Sequence, residues 1–207
     1  LSEKEVKERG IDYLASHNIK ENQSKYLKES RELVIKCIVE RETEKILGVQ
    51  IVGENGVDKR IDVFVTAMAF GAKISDLFHL DLAYAPPFST TKDPVMYSGM
   101  ILDNALHRGR RIVTASELIE HRESFTVIDV RSKADYGKGH IEGAISIPHE
   151  ELKTRSSELD KNKKYAVHCN KGTTGNAAQN LLLNLGFKEV YNISGGYNQY
   201  RMELKLK

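Results

Sequence analysis

At 207 residues, the chain is long enough for one large domain or two small ones, and 40% hydrophobic with 29% charged residues is the composition of a folded globular protein. A formal net charge of +2 gives no electrostatic case for a nucleic-acid or membrane partner. Two distant cysteines with no Cys-x-x-Cys exclude a disulfide scaffold and a zinc site and fit a reducing cytoplasm, and no apolar run approaches the roughly 18 residues of a membrane span.

The chain opens on Leu1 rather than Met and reads as a segment of a longer polypeptide. Ser2 is an N-cap before acidic residues, which predicts a short helix to about Arg9. Ile11 to Ala15 is a candidate strand. Leu33 to Glu40 is a clearer one, with Leu33, Ile35, Cys37 and Val39 on one face, which makes Cys37 a core residue. Ile46 to Val52 is the next strand, joined to the last by the polar turn Arg41–Lys45 as a hairpin. Lys59 to Phe70 carries Ile61, Phe64, Val65 and Met68 at helical spacing, with Gly71 just past the end. Ser75 to Phe78 is a short helical turn. Asp81 to Pro94 holds three of the four prolines, so it is irregular yet stiff, and it presents Tyr84 and Lys92. Such a loop serves a site or simply packs. A helix follows from Pro94 to His107, capped by Asp93.

In the second half, Tyr165-Ala166-Val167 is a short strand. It runs into Cys169-Asn170-Lys171-Gly172-Thr173-Thr174-Gly175, and then into a helix marked by Ala177, Ala178, Leu181, Leu182 and Leu185 and closed by Gly186. A thiol at a strand-to-helix turn meets backbone N–H groups and the positive end of a helix. Both favour a thiolate, and so a nucleophile or a persulfide carrier. The alternative is a buried cysteine packed as a small hydrophobe. The glycine and the lack of bulky apolar residues just after Cys169 argue for the open, functional loop.

The stretch Val113 to Lys205 resembles a single rhodanese domain. The resemblance rests on Ser116-Glu117-Leu118, Val127-Ile128-Asp129-Val130-Arg131, Asp135-Tyr136-Gly137-Lys138-Gly139-His140-Ile141-Glu142-Gly143-Ala144, Ile147-Pro148, the Cys169 loop and Ser194-Gly195-Gly196-Tyr197, in that order and at family spacing. It implies an α/β fold with a parallel sheet, and a loop cysteine that takes sulfane sulfur as a persulfide and passes it to a thiol. Asp129 and Arg131 are expected to organise the region beneath the loop, as structure rather than chemistry, and His140 likewise. Thr174 stands where the family's loop has an arginine. A second reading is therefore a non-catalytic binding or regulatory module. A phosphatase of the related fold needs an arginine six residues after the cysteine, where Gly175 stands.

Ser2 to Leu106 resembles the α+β dimerisation domain of the flavin-dependent pyridine nucleotide–disulfide oxidoreductases. The matching runs are Lys45–Gly53, Lys59-Arg60-Ile61-Asp62, Tyr84–Ser89 and Lys92-Asp93-Pro94. The last two resemble the coenzyme A disulfide reductase branch, and a rhodanese domain behind them resembles the reductase–rhodanese fusions. The resemblance implies a homodimer formed through the first domain. It also implies FAD, NAD(P)H and coenzyme A in the longer protein, with none bound to this chain alone. Two tyrosines, Tyr84 and Tyr26, would assist the sulfur step in the other subunit. The neighbours of Tyr26 and the residue Met96 depart from the branch's pattern. No Gly-x-Gly-x-x-Gly follows a strand, so the dinucleotide folds are expected upstream. The expected boundaries are a dimerisation domain at 1–107, a linker at 108–111 and a rhodanese-like domain at 112–207.

Overall fold

The structure, a computed structural model, describes residues 1–205. It divides into two compact units, Leu1–Arg108 and Gly109–Lys207.

The first unit is built on a three-stranded antiparallel sheet. Its strands are β1 (Tyr13–Glu21), β2 (Glu32–Glu40) and β3 (Ile46–Gly53), with β2 in the middle. Alternation along β2 sends Leu33, Ile35, Cys37 and Val39 to one face. There they meet Phe64 of α2 (Val57–Ala69), Ile74 and Leu77 of α3 (Ile74–His79), and Val95 and Leu102 of α4 (Pro94–His107). α1 (Glu3–Glu8), capped by Ser2, covers part of the opposite face and packs Val6 on Ile38 and Ala15.

Two expectations are corrected here. The first strand does not stop at Ala15 but runs to Glu21. Its polar centre, Ser16-His17-Asn18, is buried, and the Asn18 amide donates to the Pro94 carbonyl at 2.7 Å. In α2 the inward positions are Arg60 and Phe64, while Val65 is 51% exposed. A charged residue occupies a core position because it finds an ion partner there, described below.

The second unit is a five-stranded parallel sheet in the order β4-β8-β7-β5-β6. The strands are β4 (Ile112–Val113), β5 (Thr126–Asp129), β6 (Ile145–Ser146), β7 (Lys164–His168) and β8 (Glu189–Ile193). Helices cover both faces, as a parallel sheet requires. α7 (His149–Arg155) and α8 (Thr173–Asn184) bring Leu152, Ala178 and Leu182 against Ile128, Tyr165 and Val167. α5 (Ala115–Glu120) and α9 (Gly196–Lys205) bring Leu118 and Tyr200 against Val127, Ala166 and Ile193. A short helix, α6 (Lys133–Gly137), follows β5. The chain leaves β5 toward β6 on one side and β7 toward β8 on the other. The carboxyl ends of β5 and β7 therefore flank the switch point, where open α/β sheets place their ligands.

Candidate functional site

Cys169 is the first residue past β7, at that switch point. Its backbone is held from two sides. The Cys169 carbonyl accepts from Tyr197 N–H at 2.9 Å, and the Asn170 carbonyl accepts from Asn198 N–H at 3.0 Å. Gly196, at φ 61°, lets these strands of backbone approach, because a Cβ there would lie 2.5 Å from the Cys169 oxygen. The loop then turns at Gly172, whose φ of 99° and ψ of −16° suit glycine and aim its N–H back at the sulfur. That N–H donates to Cys169 Sγ at 3.2 Å. The Asn192 amide in turn holds the Gly172 carbonyl at 3.0 Å.

Beneath the loop, Asp129 and Arg131 form a buried pair. Arg131 Nη2 donates to Asp129 Oδ2 at 2.6 Å and to the Gly139 carbonyl at 2.7 Å. Its Nη1 donates to Asn170 Oδ1 at 3.4 Å, which links the pair to the Cys169 loop. The guanidinium also lies 4.1 Å from the centre of the Tyr197 ring. Removing one partner of such a pair leaves a buried charge uncompensated, at a cost of about 3–5 kcal/mol. His140 stacks on Tyr136 at 3.9 Å.

His168 adjoins the cysteine and is fully buried. Burial pushes its pKa down to about 4, so it is neutral. Asp129 lies 3.7 Å from Nε2 and pulls the other way, but its carboxylate is already committed to Arg131 and burial wins. Nδ1 lies 3.3 Å from the Cys169 carbonyl, which can only accept, so that nitrogen is assigned the proton.

The open-loop expectation for Cys169 is corrected. The residue is only 8% exposed and its side chain joins the core with Val167 and Ala178. It is nevertheless unlike Cys37, which is wholly buried and whose thiol burial pushes up to about 12. Lys171 is half-buried, and Thr173 and Thr174 are exposed at the start of α8.

In the first unit, Tyr26 and Tyr84 line one open cleft of about 590 Å³ together with Ser24, Lys25, Thr90 and Thr91. Tyr26 is 76% exposed and Tyr84 47%. The two loops are tied by Ser24 N–H, which donates to the Pro86 carbonyl at 3.1 Å.

Comparison with known proteins fits this geometry. Residues 1–94 match the pyridine nucleotide-disulphide oxidoreductase dimerisation domain, and residues 114–203 match the rhodanese-like domain. The two matches follow one another along the chain, and its second domain belongs to the rhodanese-like family. The rhodanese-like domain is 32% identical over 87 residues to thiosulfate sulfurtransferase GlpE of Coxiella burnetii, 80% of that protein's length and 42% of this chain. Over 102 residues the chain is 34% identical to the NAD(P)H coenzyme A polysulfide/persulfide reductase of Pyrococcus horikoshii, which is 49% of this chain and 23% of that protein. Among solved structures, reduced Bacillus anthracis CoADR-RHD matches with a TM-score of 0.94 at 34% identity, covering 100% of this chain and 37% of that one. A NAD-dependent persulfide reductase from A. fulgidus matches with a TM-score of 0.84 at 32% identity, covering 97% and 36%. The chain thus spans little more than a third of the two solved chains and matches about a quarter of the Pyrococcus horikoshii reductase.

Among the described residues no strand is followed by Gly-x-Gly-x-x-Gly, and the glycine N–H at the β7–α8 turn of the rhodanese-like domain serves a sulfur. Sequence reasoning assigned no role to His168, Asn192 or Tyr197. The signal for Asn192 was present: an amide inside a strand pattern needs a partner, and here the partner is the Cys169 loop.

Proposed function

We propose that this chain is the C-terminal portion of a flavin-dependent NAD(P)H:disulfide oxidoreductase. Its substrates are coenzyme A disulfide, persulfide or polysulfide, and Cys169 is the sulfane-sulfur carrier. The observation that carries this reading is the Gly172 N–H on Cys169 Sγ at the switch point of a rhodanese-like sheet, in a chain matched along its whole length by CoADR-RHD.

The Cys169 thiolate attacks the outer sulfur of a donor persulfide. A new S–S bond forms on Cys169, the donor's S–S bond breaks, and the donor leaves as a thiolate. An acceptor thiolate then attacks the outer sulfur and regenerates Cys169, with no net change in electrons. The Gly172 N–H stabilises the anionic sulfur, and Asp129 with Arg131 fixes the loop through Asn170. Asn170, Lys171 and Gly172 form the loop around it, and Thr173, Thr174 and Gly175, expected in that loop, are the first turn of α8.

The first domain, 1–107, serves as the homodimer platform, joined by 108–111 to the rhodanese-like domain at 112–207. Tyr84 and Tyr26 present hydroxyls on one cleft. A phenol donates a hydrogen bond at neutral pH, and exchange is faster when the leaving thiolate is stabilised. FAD and NAD(P)H, held elsewhere in the full-length protein, supply the reducing electrons. The whole acts in the cytoplasm on small-molecule thiols and persulfides, without nucleic acid or membrane.

Tyr84→Phe in the full-length, flavin-loaded protein tests this. Reduction of coenzyme A disulfide should slow roughly ten- to a hundredfold, on the order of 1–3 kcal/mol for one lost hydrogen bond, with flavin reduction by NADH intact. An unchanged rate would make Tyr84 a packing residue.

A further inference from the structure

Arg60 sits on α2 with only 2% of its surface exposed. A guanidinium this deep needs partners for its donors, and the partners here lie on separate segments. Nε donates to Asp93 Oδ1 at 3.3 Å and Nη2 to Asp93 Oδ2 at 2.8 Å. Nη2 also donates to the Asn22 carbonyl at 2.7 Å and to Ser89 Oγ at 3.4 Å. Nη1 donates to the Gly56 carbonyl at 3.1 Å. Asp93 accepts the Ser89 hydroxyl at 2.6 Å and caps α4 by accepting Val95 N–H at 3.1 Å.

Asn22 is the root of the loop that carries Tyr26. Its N–H donates to the Arg31 carbonyl, and Arg31 N–H returns to Asn22 Oδ1, both at 2.8 Å. Ser89 closes the turn after Tyr84, donating its N–H to the Ala85 carbonyl at 3.1 Å. One guanidinium therefore grips both loops. Tyr26 is 76% exposed and Tyr84 47%, so packing constrains the rings only in part.

We infer that Arg60, through Asp93 and Ser89, is a positioning residue that sets the spacing of Tyr26 and Tyr84 across their cleft. The inference rests on the reading that those hydroxyls serve the sulfur step. The bonds to Asn22 and Ser89 satisfy donors of the buried guanidinium and in doing so tie both loops to α2. Lysine keeps the charge but not the fork, so Arg60→Lys should hold Asp93 and release a loop. Ser89→Ala is the milder variant, since it leaves the Arg60–Asp93 pair whole.

The test has two readouts. In the 207-residue chain, Arg60→Lys and Ser89→Ala should speed hydrogen exchange at Ser24 by about tenfold or more while Ile35 in β2 keeps its rate. In the full-length flavin-loaded protein, both variants should lower kcat of the sulfur step about tenfold with flavin reduction unchanged. Adding Tyr84→Phe to either should slow the step no further than the worse single change. If Arg60→Lys fails to fold, Ser89→Ala carries both readouts. Unchanged Ser24 exchange, or losses that multiply in the double variant, would overturn the inference while leaving the tyrosine reading in place. A Tyr84→Phe enzyme with an unaltered sulfur step would remove the tyrosine reading, and the inference with it.

Discussion

Gly172 donates its backbone N–H to Cys169 Sγ across 3.2 Å, and it does so from a backbone conformation, φ 99°, that residues with a Cβ avoid. The site's main anion donor therefore depends on the absence of a side chain. A Cβ at Gly172 would meet nothing closer than 3.7 Å, so the penalty for alanine is backbone strain rather than collision. Gly172→Ala should lower the stability of the second unit by about 1–3 kcal/mol. It should also slow persulfide formation at Cys169, as the loop relaxes and the N–H turns away. Denaturant melts followed through the amide signals of β7, together with single-turnover sulfur transfer, check both. Wild-type values for both would mean that the turn has no part in the chemistry.

His168 predicts a pH dependence. Its folded pKa of about 4 lies below the ordinary 6.5, so the unfolded chain binds the extra proton first as pH falls. The stability this neutral histidine contributes is complete above about pH 6.5 and is lost on the way down to about pH 4. The full shift is worth on the order of 3 kcal/mol. In His168→Leu, the fall in unfolding free energy between pH 6.5 and 4 should be smaller than in the native chain. Equal slopes in the two proteins would show that His168 does not couple folding to protons in that range.

Much of the fold was legible in the sequence because the signals were local. The Leu33-Ile35-Cys37-Val39 alternation, the caps Ser2 and Asp93, and the strand leading to Cys169 each needed only a few neighbours. What was missed depends on partners far along the chain. The second half of β1 is polar, and it stays a strand because Asn18 finds Pro94 in α4. Arg60 breaks the apolar stripe of α2 and is inward because Asp93 waits for it. The burial of Cys169 comes from α8 folding back over the β7 strand that precedes it, which no spacing reveals. Periodicity did not bring Tyr26 and Tyr84 to one cleft either. Family resemblance singled out the two tyrosines, and in the structure both line one cleft.

Thr174 is exposed in the first turn of α8, where it offers the loop no cation. An arginine there would bring a planar charge to the anionic sulfur donor. Thr174→Arg should raise thiosulfate:thiol transfer about tenfold, ~1.4 kcal/mol in the barrier, with sulfite as the leaving group. Steady-state sulfite release measures it. No gain, with the variant folded, would mean that the native loop already supplies what an anionic donor needs.

Sulfur loading itself is the most direct measurement. The native 207-residue chain, incubated with polysulfide or thiosulfate at pH 7, is digested without reductant and weighed by mass spectrometry. The peptide holding Cys169 should gain the mass of one sulfur atom, removable by dithiothreitol. The peptide holding Cys37, whose thiol is wholly buried and pushed up to about 12, should gain none. A Cys169 peptide that stays unmodified with every donor, or that loads no faster than Cys37, would contradict the sulfur-carrier role.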